Sequence, residues 1–444
     1  MSAESELVDF AEALTWSELP EEVRGAVTRL AGDAIANAVV GRGAADTTAI
    51  EAASRSLYGE GTSSIIAGTT TSLVGAAGIN AFQTTAYTMC DVYRPGLCHV
   101  TPEVVPAALA MAERHDVDGP RFLAAVAAGL EATTRLCRAF NYPAFRARGW
   151  HSPGISGAMG ASISAGLLAG LPSADLAGCL GLAGSQASGS FAAMGTMAVK
   201  FHQLRGAQAA VIASVHAQHA LTGSKDILTA NDGGLLRAFS DDPDPSQLTD
   251  ELGTRWTLLD IALRPYPAAS TLQSLINVLV DPAALDGLAI TDVHAVRVEL
   301  PEEAYRLGAE AGWENELRAM QSARYVAAGA LLTRHCWIEL FDEEQRSDNS
   351  LDTFARENVS VVRNMELRDG AVRVTLETTT GQRRLASDAA SGDPLNPMTS
   401  AQLLEKVRHC FSTSRVSESF DPERLVHLDR ETSVATLLGD LRES

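Results

Sequence analysis

Arg148-Gly149-Trp150-His151-Ser152-Pro153-Gly154-Ile155-Ser156-Gly157-Ala158-Met159-Gly160-Ala161 sets one histidine at the head of a long run of small residues. Glycine and alanine recurring every three or four residues leave one face of a helix almost free of side chains, so a neighbouring helix can approach closely. The stretch therefore predicts a tightly packed helical core with His151 at its edge. By itself, His151 reads first as a capping or packing histidine. Its company argues for chemistry. Met89-Cys90-Asp91-Val92-Tyr93 and Cys98-His99-Val100-Thr101-Pro102 lie upstream, and Met197-Ala198-Val199-Lys200-Phe201-His202 and Arg264-Pro265-Tyr266-Pro267 lie downstream. Histidines, a lysine and an acid beside helix starts and proline turns make an acid/base pocket with a cationic holder for a carboxylate.

The bulk numbers agree with close-packed helices. Of 444 residues, 46% are hydrophobic but only 5% aromatic, so the core is built from Ala, Leu, Val and Ile. Such a chain is long enough for two domains, or for one large domain with an appendage. The formal net charge of -20 argues against nucleic acid or an anionic membrane as partner, because both need a basic surface. No basic-plus-apolar signal opens the chain, and no apolar run reaches the roughly 18 residues of a spanning helix. A soluble, cytoplasmic protein is expected. The six cysteines show no CxxC pair and no zinc spacing, so they read as reduced thiols. His216 and His219 could share one helical face, but no third ligand stands at a useful spacing, and no metal site is expected.

In chain order, helical spacing covers Glu4–Leu14, Pro20–Val40, Ser72–Tyr87, Val104–His115, Gly119–Phe140, the His151 helix, Ser173–Gly189 and Ala207–Leu221, with Lys200 in a loop before the last. Gly41, Gly43 and Asp46 close the second helix. Ser63–Gly68 reads as a short strand or extended connector. Glu131, Arg135 and Arg138 suggest a solvated face or an intrahelical pair. Asn231–Gly234 is a turn and Asp241–Pro245 an acidic linker. The pattern then changes: Val293–Leu300, Val361–Leu367 and Val372–Glu377 alternate with period 2, and Arg368–Ala371 between the last two reads as a hairpin turn. Glu316–Leu340, Ser400–Phe411 and Val434–Leu441 are helical. The simplest partition is mainly α: a large all-helical domain (1–262 and 399–444) with a smaller α+β domain inserted (263–398).

Taken in order, these landmarks resemble the MmgE/PrpD family, which includes 2-methylcitrate dehydratase, cis-aconitate decarboxylase and iminodisuccinate epimerase. The supporting stretches are Arg148–His151 with its small-residue helix, His99 with Pro102 and Val105-Pro106, Lys200–His202, Arg264–Pro267 and Gly392–Thr399. The resemblance implies a cofactor-free enzyme, a homodimer, with the small domain as a lid. It implies proton transfer next to a carboxylate, followed by loss of water, loss of carbon dioxide or reprotonation. Residue by residue, it marks His99, His151, Tyr325 and Asp91 as catalytic candidates and Lys200 as a substrate binder, one residue out of its usual spacing. After Tyr266-Pro267 the family's cysteine and histidine correspond to Ala269 and Gln273, so Gln273 becomes a substrate-orienting candidate that cannot exchange a proton near neutral pH.

The reading from sequence is a cofactor-independent lyase or isomerase acting by dehydration, decarboxylation, epimerisation or cyclisation on a small carboxylate or carbonyl compound other than the usual tricarboxylates. The alternative is a non-catalytic, scaffolding homologue that keeps the fold and the dimer.

Overall fold

The computed structural model describes residues 2–412, 414, 416 and 418–443. It is mostly helical with a small sheet, and it divides into two compact units: 1–86, 90–262 and 399–444 form the larger, and 87–89 with 263–398 the smaller.

The larger unit begins with α1 (Ala3–Ala13), α2 (Glu21–Gly41) and α3 (Thr47–Tyr58). A two-residue hairpin, β1 (Ser63–Ser64) with β2 (Thr70–Thr71), precedes α4 (Leu73–Thr85), whose start is capped by the Ser72 hydroxyl. β3 (Val92–Tyr93), α5 (Thr101–His115), α6 (Gly119–Ala139) and α7 (Tyr142–Ala147) follow. Then come a single π-turn (Pro153–Gly157), α8 (Ala158–Leu168), α9 (Ser173–Gly184), α10 (Ala198–Gln218), α11 (Leu235–Phe239) and β4 (Ile261–Ala262), which pairs with β3.

The stripe of small residues does what its spacing predicts. α8 is almost wholly buried and packs against α5, α6, α9 and α10. A Cβ placed on Gly129 of α6 would stand 2.9 Å from the Gly160 carbonyl oxygen of α8, so the two backbones meet where neither carries a side chain.

Several local expectations need correction. α3 and α7 lie outside the predicted elements: α3 carries a single-sided apolar pattern directly after the glycines that close α2, and α7 is only six residues long. Lys200 lies in the first turn of α10, which starts at Ala198 rather than Ala207. The acidic segment around Asp241–Pro245 is no loose linker. Arg135 and Glu131, both 1% exposed, form a buried i,i+4 pair at 2.7 Å. Arg135 donates to the carbonyls of Asp250 and Arg255, and Glu131 accepts from the Thr257 and Leu258 amides, fastening the loop after residue 240 to α6.

The smaller unit runs α12 (Gln273–Val280), β5 (Val293–Leu300), α13 (Glu302–Gly308), α14 (Glu316–Ala319), α15 (Ala323–Thr333), α16 (Glu343–Arg346) and α17 (Asn349–Glu357), then β6 (Val359–Arg363), β7 (Val372–Thr378) and β8 (Gly381–Ser387). The predicted helix over Glu316–Leu340 is thus broken into pieces. The sheet order is β6-β5-β7-β8, with β5 parallel to β6 and antiparallel to β7. Arg368–Ala371 is a turn, but it joins strands that flank β5, and the true hairpin is β7 with the unexpected β8. Alternation reports that a segment is a strand; it carries no information about the partner. The parallel β5–β6 pair needs a crossover, which α13 to α17 supply.

After residue 398 the chain rejoins the helical unit through α18 (Ser400–Phe411) and α19 (Val434–Asp440). A second buried pair, Lys406 to Asp33 at 2.6 Å, fastens α18 to α2. No helix among the described residues is long and apolar enough to cross a membrane.

Candidate active site

Three segments of the helical unit carry histidines to one place. Asp91, just before β3, is fully buried; its carboxylate accepts from the Val100 and Thr101 amides at 2.9 Å each and from the Thr101 hydroxyl, and so fixes the start of α5. The Asp91 carbonyl, in turn, lies 2.7 Å from Nδ1 of His99. A carbonyl can only accept, so Nδ1 donates and the neutral ring carries its lone pair on Nε2.

His151 precedes the π-turn. Its amide donates to the Gly189 carbonyl at 3.0 Å, and the Phe191 amide donates to the Gly149 carbonyl at 2.8 Å, which zips the two loops together. Ser152 Oγ donates to the Gly96 carbonyl at 2.7 Å, so the same loop is also tied to the His99 side. π-turns recur at functional sites because the extra residue redirects side chains that a regular helix would align. The His151 ring is 4% exposed, and its Nδ1 lies 2.9 Å from Nδ1 of His202, in the first turns of α10. One ring must donate and the other accept. Burial, and then the neighbouring His202, His99 and Arg146, hold His151 well below the usual imidazole range; burial lowers His202 as well. Arg146 of α7 lies 3.4 Å above the Phe191 ring.

His99, His151 and Asp91 are therefore brought together, and His202 joins them. Sequence reasoning gives His202 no role, because nothing in the sequence places it against His151, 51 residues earlier. The other candidates are engaged differently. Lys200 is 4% exposed and its ammonium donates to the Ala86 carbonyl at the end of α4. Tyr325 lies in the smaller unit's own core, 0% exposed, its ring near Trp313 and Phe341 and its hydroxyl donating to the Leu340 carbonyl at 2.6 Å. The expected catalytic hydroxyl thus gives its proton to a backbone carbonyl of the smaller unit. Gln273 opens α12 and staples the Tyr266–Ala269 loop: Oε1 accepts from the Tyr266 amide at 3.2 Å, and Nε2 donates to Tyr266 at 3.1 Å and Ala268 at 3.0 Å. Its amide thus bonds the backbone of its own loop.

Residues 5–248 match the MmgE/PrpD N-terminal domain and residues 266–425 the MmgE/PrpD C-terminal domain. The chain belongs to the MmgE/PrpD family. Among its relatives is cis-aconitate decarboxylase from Aspergillus terreus, 24% identical over 98% of this chain and 94% of the relative. Another is the cis-aconitate decarboxylase-like protein oryM from Aspergillus oryzae, 24% identical over 83% of this chain and 80% of the relative. MmgE/PrpD members of this kind are lyase-type enzymes, and the histidine cluster described above lies within the N-terminal match.

Proposed function

We propose that the chain is a lyase or isomerase that moves a proton next to a carboxylate or carbonyl, with acid and base supplied by the helical unit's histidines. The convergence of His99, His151 and His202, with His151 kept neutral by its surroundings, carries this reading. A neutral buried imidazole is a competent base, and once it takes a proton the 2.9 Å contact lets His202 share the charge. His99, oriented by the Asp91 carbonyl, offers Nε2 as the second proton carrier, which makes Asp91 a positioning residue. Arg146 supplies the positive charge for a substrate carboxylate and for the enolate-like charge that develops as the proton leaves. Taking a proton from carbon opens the way to loss of water or to reprotonation. Giving one to the carbon that loses carbon dioxide completes a decarboxylation. All of this requires only side-chain acids and bases, without a cofactor.

The relatives are named for cis-aconitate; this chain, in the same reading, takes a less highly charged acid. Gln273, at a position where the family resemblance implies a histidine, spends its amide on Tyr266 and Ala268, and Met89 and Val92 make the Asp91 segment apolar. A tricarboxylate brings about three negative charges, and where the resemblance implies a histidine this chain carries a neutral amide, so it offers one fewer potential cation to compensate them. The reading also takes the protein as a cytoplasmic homodimer with the smaller unit as lid, which light scattering and ligand-dependent compaction in solution scattering test.

The decisive assay follows proton incorporation, water loss and carbon dioxide release over a panel of mono-, di- and tricarboxylates. His151→Ala should lower turnover by about 10²- to 10⁴-fold, the usual contribution of a positioned acid or base. Wild-type turnover in that variant would defeat the proposal. A kcat/KM near ~10⁴ M⁻¹s⁻¹ on cis-aconitate or 2-methylcitrate would return the substrate to the tricarboxylates. Binding of an acid without turnover would favour the scaffolding reading.

A further inference from the structure

Glu103 lies one turn after the His99 loop, on α5, and is 0% exposed. Neither carboxyl oxygen has a hydrogen-bond partner, although a buried polar group normally finds one. Its side chain fills a slot made by two glycines: a Cβ built on Gly157 would stand 2.8 Å from Glu103 Cδ, and one built on Gly206 would stand 2.8 Å from Glu103 Cγ. Gly157 is the last residue of the π-turn that follows His151. Gly206 stands four residues after His202 on α10, hence one turn along the same helical face. The acid is thus wedged between the two elements that set the His151–His202 contact, and four residues from His99.

We propose that Glu103 is a positioning residue of the histidine site that works as the neutral acid: uncharged it fixes the spacing of π-turn and α10, and its ionisation closes the site at alkaline pH. The inference rests on the proton-transfer reading above but is tested partly without it. An ionised carboxylate here, sealed from solvent and with only its own backbone amide to favour the charge, would be poorly compensated, so the slot must open or the proton must stay. Burial pushes Glu103 well above the usual carboxylate range and the Asp91 charge adds to this; its own backbone amide opposes the shift, and Cys90 and Cys137 contribute to it. The π-turn, α4 and α8 carry no titratable side chain. On the stretch of α10 around Gly206, Lys200 donates to the Ala86 carbonyl and Arg205 to Tyr58 and Gln208, leaving His202 as the titratable group one turn away.

The sign follows from proton counts. Above about pH 4.3, the ordinary glutamate value, the unfolded chain has released this proton and the folded one has not, so wild-type stability falls as pH rises until the folded acid ionises. Glu103→Gln keeps the shape and the neutrality without the proton. Its melting temperature should therefore exceed that of the wild type by a margin that widens steadily between pH 5 and pH 8. A margin that is absent, or flat across that range, overturns the proposal whether or not a substrate is known. With a turned-over acid in hand, Glu103→Gln should move the alkaline limb of the pH profile upward, and Glu103→Ala, which empties the slot, should lower kcat at every pH. An unmoved alkaline limb in Glu103→Gln would also overturn it.

Discussion

Two regions of the helical unit bury a glutamate and treat it in opposite ways. On α6, Glu131 accepts from Arg135 and from the Thr257 and Leu258 amides, so every charge and dipole around it has an answer. On α5, no side chain answers the Glu103 carboxyl, which has only its own backbone amide to favour a charge, and in the neighbouring elements the histidines press against one another at 2.9 Å. A fully satisfied buried network rigidifies a fold, whereas unsatisfied, perturbed groups are tolerated where they do chemistry. The same contrast sorts the residues marked by sequence. Tyr325 and Gln273 spend polar atoms on backbone carbonyls or amides, and the Lys200 ammonium donates to the Ala86 carbonyl, while His99, His151 and His202 keep ring nitrogens in mutual contact or in a defined tautomer.

The contrast can be broken most directly at Glu131. Glu131→Ala leaves the Arg135 charge buried and releases the segment at Thr257, so urea unfolding should show a loss of about 3 to 5 kcal/mol. A loss below about 1 kcal/mol would mean that the satisfied network is not what holds this half together. Next in size is Tyr325→Phe, which strands the Leu340 carbonyl and should cost about 1 to 3 kcal/mol in the same measurement. Its turnover should fall less than tenfold; a hundredfold fall in a stable protein would move Tyr325 to the chemical side of the comparison. Smallest is a pH effect. Below about pH 6.5 an unfolded His151 takes up a proton that the folded residue refuses, so stability rises with pH there, by at most about 1.4 kcal/mol per pH unit for one proton. His151→Phe should flatten that slope between pH 7 and pH 5, and an unchanged slope would show that His151 protonates in the fold as easily as in the open chain.

Legibility differs by level. Long periodic helices such as α2, α5, α6 and α18 are readable almost residue by residue, because a sustained 3.6-residue pattern admits one interpretation. Short or interrupted elements are not: α7 spans six residues, α14 four, and β8 reads Gly-Gln-Arg-Arg-Leu-Ala-Ser with one buried side chain. The site is half legible. Histidines at helix starts announce His99 and His151, whereas Glu103 looks like an ordinary first-turn acid, favourable near a helix N-terminus and normally solvated.

The sequence by itself determined the helical class, the position at which composition changes near residue 262, and the stripe at Gly157–Ala161 that lets helices touch, since each rests on local composition or period. Only the tertiary structure decided that β6 and β7 flank β5, that His202 meets His151, and that the Tyr325 hydroxyl and Gln273 amide are already engaged. Pairing, burial and hydrogen-bond satisfaction depend on groups far apart in the chain, and a side chain's chemistry is set by those groups rather than by its own identity.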